Sequence, residues 1–380
     1  TGRRVDRLAE ERARGITIDL NFAPLRLFDG GTAGVVDVPG HEDFVRTMVA
    51  GAGGVDLVLL VIAADEGVKP QTREHLAIVE ALGVPRGIPV LTKCDRVNAD
   101  RLALVRREVD DWLRSSPVAF AGALSVSVRT GAGLGELLDA VSSEAAALRP
   151  RDASAPFRMP IDRAFSLPGA GTVVTGSVWG GSAGVGDQLR LLPAGRSVRV
   201  RTIEVHGARS ERALPGNRAA LGLANVERDQ VRRGDVLVDA TLPWEPTTAL
   251  DVRLQLLPDA PRPLTARTPV HLHLGTAEVV ARVLPRAPIP PGGAGLARLI
   301  CEAPLVSRGG DRFVIRSYSP VSTIGGGVVL DPNPPRRRAQ WPETLDSAIA
   351  RERLVALLLR HPPGASSVSL AFRSGLASAE

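Results

Sequence analysis

The chain has 380 residues, of which 44% are hydrophobic and 23% are charged, with a formal net charge of +6. This length predicts two or three domains. No apolar run approaches the roughly 20 residues of a membrane-spanning helix, the first residues are charged, and Cys94 and Cys301 lie far apart without metal-ligand spacing. These features argue against a membrane protein, a secreted disulfide domain and a zinc site, and they predict a soluble cytoplasmic protein.

Strand and helix signals alternate through the first 150 residues. Apolar, strand-like runs lie at 33–36, 55–63, 88–91 and 118–126, and helical periodicity lies at 71–82, 98–113 and 133–148. This alternation predicts an α/β domain with a mostly parallel sheet, helices on both faces, and ligand sites in the loops that follow the strands. Polar residues follow several of these strands, at Asp37, at 92–95 and at Ser127.

The texture changes near residue 150, where short strands separated by Gly, Pro and Asp replace the helices. Two β-barrels are predicted, from about 156 to 240 and from about 247 to 332. Residues 334–338 are predicted as an exposed linker and 345–359 as an amphipathic helix. The expected domains are therefore 1–150, 151–242, 243–333 and 334–380. His271 and His273 share a strand, but without a third ligand nearby we favour packing or surface hydrogen bonding over a metal site.

A D-x-P-G-H stretch occupies residues 37–41, between an apolar strand and an amphipathic helix. A carboxylate at a strand end can hold a hydrated cation, and the amide of a following glycine can approach an anion closely. Asp37 and Gly40 therefore suggest a phosphate-sensing loop. The motif is short and occurs by chance, so its neighbours decide the interpretation.

A T-K-C-D stretch at 92–95 follows the apolar, strand-like run at 88–91. The Asp95 carboxylate can accept parallel hydrogen bonds from N1–H and the exocyclic amine of guanine, a donor pair that adenine lacks. Lys93 can lay its methylene stem over a base, and a backbone amide in the segment from Ser127 could meet guanine O6. Each stretch alone is also compatible with a polar turn at a strand end.

Several further motifs accompany these stretches in order, namely RGITIDL at 14–20, QTREHL at 71–76, IDRAF at 161–165, GAGTVVTG at 169–176 and GGGVVLDP at 325–332. With them the chain resembles the selenocysteine-specific elongation factors, the SelB family, which are translational GTPases related to elongation factor Tu. The resemblance covers nearly all of residues 1–340. It implies GTP and Mg²⁺ as cofactors and guanine contacts from Thr92, Lys93, Asp95 and Ser127.

The resemblance also assigns roles around the phosphates. Thr17 would ligate Mg²⁺ and sense the γ-phosphate, Asp37 would hold Mg²⁺ through water, the Gly40 amide would contact the γ-phosphate, and His41 would orient the attacking water. This division of labour suits phosphoryl transfer, which needs positioning and charge stabilisation. A helix N-terminal residue with no catalytic part is the alternative for His41.

The same resemblance implies a selenocysteine pocket at Asp162, Arg163 and Arg233. A selenol ionises near neutral pH, so fixed guanidinium groups would favour a selenolate over a serine hydroxyl or a mostly protonated thiol. Salt bridges on the barrel surface are the alternative for these three residues.

The family's phosphate-cradling G-x-x-x-x-G-K-[ST] loop does not occur in the sequence. We therefore expect an incomplete GTPase domain, and a fragment that is inactive as given, with only the start of the winged-helix modules that bind an mRNA hairpin in this family. For the intact protein we expect a monomer that delivers selenocysteinyl-tRNA to the ribosome at recoded stop codons and has no membrane partner. The alternatives are a general elongation-factor-Tu-like carrier of aminoacyl-tRNA and a non-catalytic RNA-binding or ribosome-binding module.

Overall fold

The structure is a computed structural model that describes residues 17, 19–40, 45–169, 171–240, 243–335, 341–361 and 366–376. The chain divides into two compact units, Thr1–Pro150 and Arg151–Glu380. Within the described ranges, no helix is both long enough and apolar enough to cross a membrane.

The first unit has an α/β fold. Its elements are β1 (Asn21–Arg26), β2 (Thr32–Asp37), α1 (Val45–Ala52), β3 (Leu57–Ala63), α2 (Pro70–Leu82), β4 (Arg86–Thr92), α3 (Ala99–Leu113), β5 (Ala119–Phe120), β6 (Leu124–Ser125) and α4 (Leu134–Ala146). Strand β4 pairs in parallel with β3 on one side and with β5 and β6 on the other. Strands β1 and β2 form a separate antiparallel hairpin.

Helices cover both faces of the parallel sheet, as the alternating pattern predicts. Leu91 of β4 packs with Leu76 of α2 and with Val105 and Val109 of α3. Side chains on the opposite face of β4 pack with α4 and with the β1–β2 hairpin, in a cluster of Ile88, Val90, Val126, Val141, Leu25 and Leu27. The sheet therefore holds the strand-end loops between two apolar layers.

Helix boundaries follow local sequence signals. Helix α2 begins with Pro70 at its first turn and ends at Gly83, whose φ of 67° is left-handed. Helix α3 is capped by the Asn98 side chain, which accepts a hydrogen bond from the Arg101 amide at 2.9 Å.

The predicted continuous strand at 118–126 is wrong, because the structure has two short segments, β5 and β6, in its place. The Ala123 amide, which lies between them, donates to the Asp110 carboxylate of α3 at 3.3 Å. The pairing with β4 shifts by one residue at this point, from Gly87–Phe120 to Val90–Leu124, so the strand is interrupted.

The second unit begins with an antiparallel sheet of eight strands. These strands are β7 (Arg158–Pro160), β8 (Arg163–Leu167), β9 (Gly171–Ser177), β11 (Gln188–Leu192), β12 (Arg196–Val205), β13 (Ala208–Ser210), β15 (Arg218–Ala224) and β16 (Val236–Asp239), and β10 (Ala183–Gly184) and β14 (Arg212–Ala213) form a small ribbon. The sheet runs β7-β16-β11-β12-β15-β9-β8, with β13 beside β12. Because only Ile161 and Asp162 separate the two end strands, the sheet curls back on itself around a buried core that includes Met159, Val174 and Leu221.

The second sheet is a closed six-stranded barrel. Its strands are β17 (Pro246–Leu256), β18 (Thr268–Leu274), β19 (Ala277–Pro285), β20 (Ala294–Val306), β21 (Arg312–Ser317) and β22 (Thr323–Asp331), in the order β17-β20-β19-β18-β21-β22. The G-G-G run of β22 lies against β17, and a Cβ on Gly327 would come within 2.1 Å of the Arg253 carbonyl oxygen. Both predicted barrels are thus confirmed.

Two helices, α5 (Ala350–Arg360) and α6 (Ser367–Ser374), follow the barrel. The predicted helix at 345–359 begins late, because residues Glu343–Asp346 form a 3₁₀ turn and the Ser347 hydroxyl then accepts the Ile349 amide at 3.1 Å. That local bond competes with the helical pattern, so α5 starts only at Ala350.

Buried charges join these helices to the second barrel. Asp251 of β17, 1% exposed, accepts two hydrogen bonds from Arg298 at 2.6 and 2.9 Å, one from the Trp341 indole at 2.9 Å and one from Arg360 of α5. A second carboxylate, Asp331 of β22, is fully buried beside Arg360, His361 and Arg373. Burial alone would raise the pKa of Asp331, but the His361 hydrogen bond and the surrounding positive charges lower it. We call these seven residues the Asp251–Asp331 cluster.

Candidate functional site

The structure brings the two predicted guanine-reading loops together. Ser127 is fully buried, and its hydroxyl donates to Asp95 Oδ1 at 2.6 Å. The Cys94 amide donates to the Val126 carbonyl at 3.3 Å, which ties the backbones of the two loops to each other. The parallel pairing of β4 with β6 explains this geometry, because parallel strands end at the same edge of a sheet.

A hydrogen bond and nearby positive charges favour the ionised form of Asp95. The Ser127 hydrogen bond is the main cause that lowers the pKa of Asp95, and the charges of Arg129 and Arg96 contribute further. Arg129 Nε lies 3.8 Å from Asp95 Oδ2. An ionised carboxylate only accepts hydrogen bonds, so this side chain matches the two N–H donors of guanine.

Ser127 supports Asp95 instead of offering its own amide to a base. Its amide donates to the Ala132 carbonyl at 2.9 Å, and its hydroxyl also accepts the Thr130 amide at 3.2 Å. Within the described part of the chain, the neighbouring Val128 amide makes no hydrogen bond. Val128 is therefore the better candidate for the donor to guanine O6.

Ion pairs fix the side chain of Lys93, and a hydrogen bond fixes that of Thr92. Lys93 has a left-handed backbone with φ of 57°, and its ammonium lies 3.3 Å from Glu66 and 3.6 Å from Asp65, two acidic residues that sequence reasoning missed. Thr92 Oγ1 donates to the Ile62 carbonyl at 3.4 Å, so its hydroxyl bridges β4 and β3. Left-handed backbone at a non-glycine residue is uncommon and concentrates at functional sites.

The predicted magnesium ligands also meet. Thr17 Oγ1 donates to Asp37 Oδ2 at 3.2 Å, with Asp37 at the end of β2. A hydroxyl and a carboxylate are oxygen ligands of the kind that Mg²⁺ prefers, so this pair fits the ion. Gly40 is exposed, and no atom of the described residues lies within 4 Å of the position that a Cβ would take. His41 lies outside the described residues.

The two cysteines differ in a way that alkylation measures. Cys301 is buried in the second barrel and burial raises its pKa to about 12, whereas Cys94 is partly exposed beside Asp95. The thiolate is the reactive form. We therefore expect iodoacetamide to modify Cys94 in the folded protein at pH 8 and Cys301 only after unfolding, as read by peptide mass spectrometry. Modification of Cys301 at an equal rate in the folded protein would contradict this assignment.

The predicted selenocysteine pocket contains a salt bridge. The guanidinium of Arg218, in β15, contacts both carboxylate oxygens of Asp162 and also donates to Thr175 Oγ1 at 3.1 Å. The Thr175 hydroxyl donates to Asp162 Oδ1 at 2.6 Å, and the Asp162 amide donates to the Thr175 carbonyl at 2.9 Å. Arg218 lies 56 positions from Asp162 in the sequence, whereas Thr175 lies in the adjacent strand β9, and the strand register brings the three residues together.

A turn from the end of the first barrel lies beside this salt bridge. The Gly234 amide donates to the Ile161 carbonyl at 3.1 Å, and the Ile161 amide donates to the Asp235 carbonyl at 2.8 Å. These two bonds place the segments that carry Arg163 and Arg233 side by side. Arg163 is partly exposed and Arg233 is exposed. Asp162 thus takes part in a largely buried salt bridge with Arg218.

Three family models match consecutive parts of the chain. The elongation factor Tu GTP binding domain matches residues 1–147, elongation factor Tu domain 2 matches 171–238, and the β-barrel domain of the selenocysteine-specific elongation factor matches 251–336. Together these matches follow the order of the α/β unit and the two barrels.

Selenocysteine-specific elongation factors from two bacteria match most or all of this chain. The selenocysteine-specific elongation factors of Desulfomicrobium baculatum and Escherichia coli are 42% and 40% identical over 100% and 91% of this chain, which spans 59% and 54% of their lengths. A crystal structure of a bacterial selenocysteine-specific elongation factor, EF-Sec, superposes with a TM-score of 0.86 at 28% identity, over 99% of this chain and 62% of that one. The chain therefore belongs to the SelB family of selenocysteine-specific elongation factors, within the elongation factor Tu-like GTPases.

Proposed function

We propose that the protein, in its whole form, delivers selenocysteinyl-tRNA to the ribosome at recoded stop codons and hydrolyses GTP on decoding. The observation that supports this proposal is the pair of backbone hydrogen bonds, from Gly234 to Ile161 and from Ile161 to Asp235, that join the segments carrying Arg163 and Arg233. Two guanidinium groups at the surface of one pocket favour an anionic selenolate over a neutral serine side chain.

The nucleotide part of the proposal rests on the first unit. Asp95, held by Ser127, reads guanine, Lys93 and Thr92 shape the base site, and Thr17 and Asp37 bind Mg²⁺. The Gly40 amide contacts the γ-phosphate, and His41 orients the attacking water. The magnesium ion supplies charge neutralisation between the phosphates when it is bound. Thr17 and Asp37 are already within hydrogen-bond distance of each other, which supports their joint assignment.

Nucleotide hydrolysis also needs groups that cradle the β- and γ-phosphates, and the 380 residues contain no G-x-x-x-x-G-K-[ST] motif. The GTPase activity is accordingly proposed for the whole protein, as are ribosome binding, recognition of an mRNA hairpin, a monomeric state and a cytoplasmic location.

Two other functions predict different features. A general carrier of aminoacyl-tRNA predicts an uncharged amino-acid pocket and no domain after the second barrel. The proposed pocket includes Arg163 and Arg233, and α5 and α6 follow the barrel. A non-catalytic RNA-binding or ribosome-binding module predicts no preference among nucleotides. The Ser127 hydrogen bond, which fixes the position of the Asp95 carboxylate at the strand ends, favours a guanine-reading role over that alternative.

Replacement of His41 by alanine tests the hydrolytic role. We expect the His41→Ala protein to bind GTP as the parent does and to hydrolyse it on programmed ribosomes roughly a hundredfold more slowly, because the attacking water loses its orienting group. Single-turnover hydrolysis of radiolabelled GTP measures both quantities. His206→Asn is a matched control, since His206 lies in a barrel turn with φ of 54° that asparagine tolerates. Equal turnover by His41→Ala and the parent would remove His41 from the mechanism.

A further inference from the structure

A cleft of about 380 Å³ lies inside the second unit, where the two barrels and helix α6 meet. Its volume is within the range of small-molecule binding sites. The residues that matter for its chemistry are Arg158, Trp179, Trp244, Arg308, Asp152 and Asp311. None of them belongs to the nucleotide loops or to the predicted selenocysteine pocket, so the proposed function assigns the cleft no role.

Helix α6 and the residue that follows it fix one wall of the cleft. Arg308 Nη2 donates to the Leu376 carbonyl at 3.0 Å, and the Gly309 amide donates to the Phe372 carbonyl at 3.2 Å. The Phe372 ring meets the Trp244 ring edge to face, with 4.9 Å between the ring centroids. Arg308 is therefore held in position by backbone carbonyls.

Three donors of the lining are buried without an acceptor. Arg158 is 5% exposed, and its guanidinium carbon lies 4.8 Å from the centroid of Trp179 and 5.4 Å from that of Trp244. Arg158 Nη1 donates to Asp311 Oδ1 at 2.7 Å. Within the described part of the chain, however, Arg158 Nε, Trp244 Nε1 and Arg308 Nε have no acceptor. A buried donor without an acceptor costs free energy, so three of them around one cleft indicate a ligand that supplies acceptor atoms.

The carboxylates of the lining are already engaged. Asp311 Oδ1 pairs with Arg158, and its Oδ2 accepts the Arg308 backbone amide at 2.7 Å. Asp152 Oδ1 accepts the amide and the hydroxyl of Ser154 at 2.8 and 2.6 Å. Among the described residues, no carboxylate oxygen lies within 4 Å of the Arg308 guanidinium.

The surroundings of Arg308 disfavour its charge. Burial lowers the pKa of Arg308, and although the charge of Asp311 raises it, the neighbouring positive charge of Arg158 lowers it further. Arginine nevertheless stays protonated in proteins. A bound anion would offset the cost of holding these two guanidinium groups next to each other.

We propose that this cleft binds a phosphate-type oxyanion, which accepts hydrogen bonds from the guanidinium groups of Arg158 and Arg308 and from the Trp244 indole. Guanidinium groups suit phosphate because they offer parallel N–H donors to its oxygens. The anion is either free inorganic phosphate or a phosphate of an RNA backbone, since both present the same oxygens. Because Arg158 belongs to the first barrel and Arg308 follows the last residue of β20, the anion would connect the two barrels.

Titration of the full-length protein with inorganic phosphate, followed by isothermal calorimetry, tests the proposal. A saturating non-hydrolysable GTP analogue keeps phosphate out of the nucleotide site. We expect the parent to bind phosphate at a single site and Arg308→Gln to bind it about tenfold more weakly, because a charged donor is lost. Arg212→Gln is the matched control, since Arg212 is an exposed arginine of the same unit that donates to Ser182, and it should bind phosphate as the parent does.

Two further variants keep the proposal testable if Arg308→Gln fails to fold, as judged by circular dichroism. Trp244→Phe removes one N–H donor, keeps a ring against Phe372, and should weaken phosphate binding about threefold. Arg308→Lys keeps the charge without the guanidinium fork and should have an affinity between those of the parent and Arg308→Gln. Absence of phosphate binding by the parent, or equal affinity in the parent, Trp244→Phe and both Arg308 variants, would overturn the proposal.

A competition arm distinguishes the two sources of the anion. A short single-stranded RNA that displaces phosphate from the parent identifies an RNA backbone phosphate as the ligand and supports the site. Phosphate binding that this RNA leaves unchanged, but that still depends on Arg308, supports the site with the free anion as its ligand.

Discussion

Replacing Asp95 by asparagine is expected to reduce the affinity of the protein for GTP by roughly a hundredfold or more and to raise its affinity for xanthosine triphosphate. The asparagine amide would present a donor where N1–H and the exocyclic amine of guanine need an acceptor. Xanthine carries an oxygen in place of that amine and can accept from the amide. The Ser127 hydroxyl, which donates to Asp95 at 2.6 Å, can donate to the asparagine oxygen instead, so the loop itself should persist.

Competition between the two nucleotides, followed with a fluorescent GTP analogue, measures this exchange of preference. Asp100→Asn is a suitable control, because Asp100 is exposed in the first turn of α3, close in sequence to Asp95. If Asp95→Asn kept the nucleotide preference of the parent, the assignment of a guanine pocket to Asp95 and Ser127 would be wrong.

Replacing Asp251 by alanine is expected to destabilise the second barrel and its helices by about 3–5 kcal/mol. Asp251 is buried between Arg298, Arg360 and the Trp341 indole, so its removal leaves two buried guanidinium groups without their principal carboxylate. The transition assigned to this region in a thermal unfolding experiment should shift down by several degrees.

The chain offers a matched surface pair for comparison. Arg253, on the same strand as Asp251, lies 3.1 Å from Asp346, and the two side chains are 53% and 26% exposed. Removing this bridge by Asp346→Ala should cost no more than about 1 kcal/mol, since exposed ion pairs are screened by water. If Asp251→Ala and Asp346→Ala lowered the free energy of unfolding by similar amounts, burial would not be the reason that the Asp251–Asp331 cluster stabilises the packing of the C-terminal helices on the barrel.

The sequence patterns predicted most of the helices and strands, because these elements depend on the local periodicity of hydrophobic residues. The apolar run that became β3, the helical patterns of α2 and α3, and the Gly-rich and Pro-rich texture of the barrels all reflect which faces must be buried. The predictions were wrong where a side chain accepts a hydrogen bond from a backbone amide. The Asp110 carboxylate accepts the Ala123 amide at the interruption of the predicted strand at 118–126, and the Ser347 hydroxyl delayed the last predicted long helix.

In the candidate site, too, the sequence could place some residues and not others. Asp95 and Ser127 could be placed at one edge of the sheet in advance, since both follow strands of one parallel sheet, but the hydrogen bond between their side chains was not predicted. Arg218 could not be paired with Asp162 in advance, because 56 residues separate them and only the register of β15 with β9 brings them together. The acidic partners of Lys93 were missed for the same reason, since Asp65 and Glu66 belong to a different strand end.

The most direct measurement compares three aminoacyl groups, selenocysteine, cysteine and serine, on one tRNA body for binding to the full-length protein with GTP. The proposed pocket of Arg163 and Arg233 recognises an anion, so selenocysteinyl-tRNA should bind most tightly near neutral pH, with the cysteinyl and seryl forms clearly weaker. Equal affinities for all three would contradict the proposal that this protein carries selenocysteinyl-tRNA selectively.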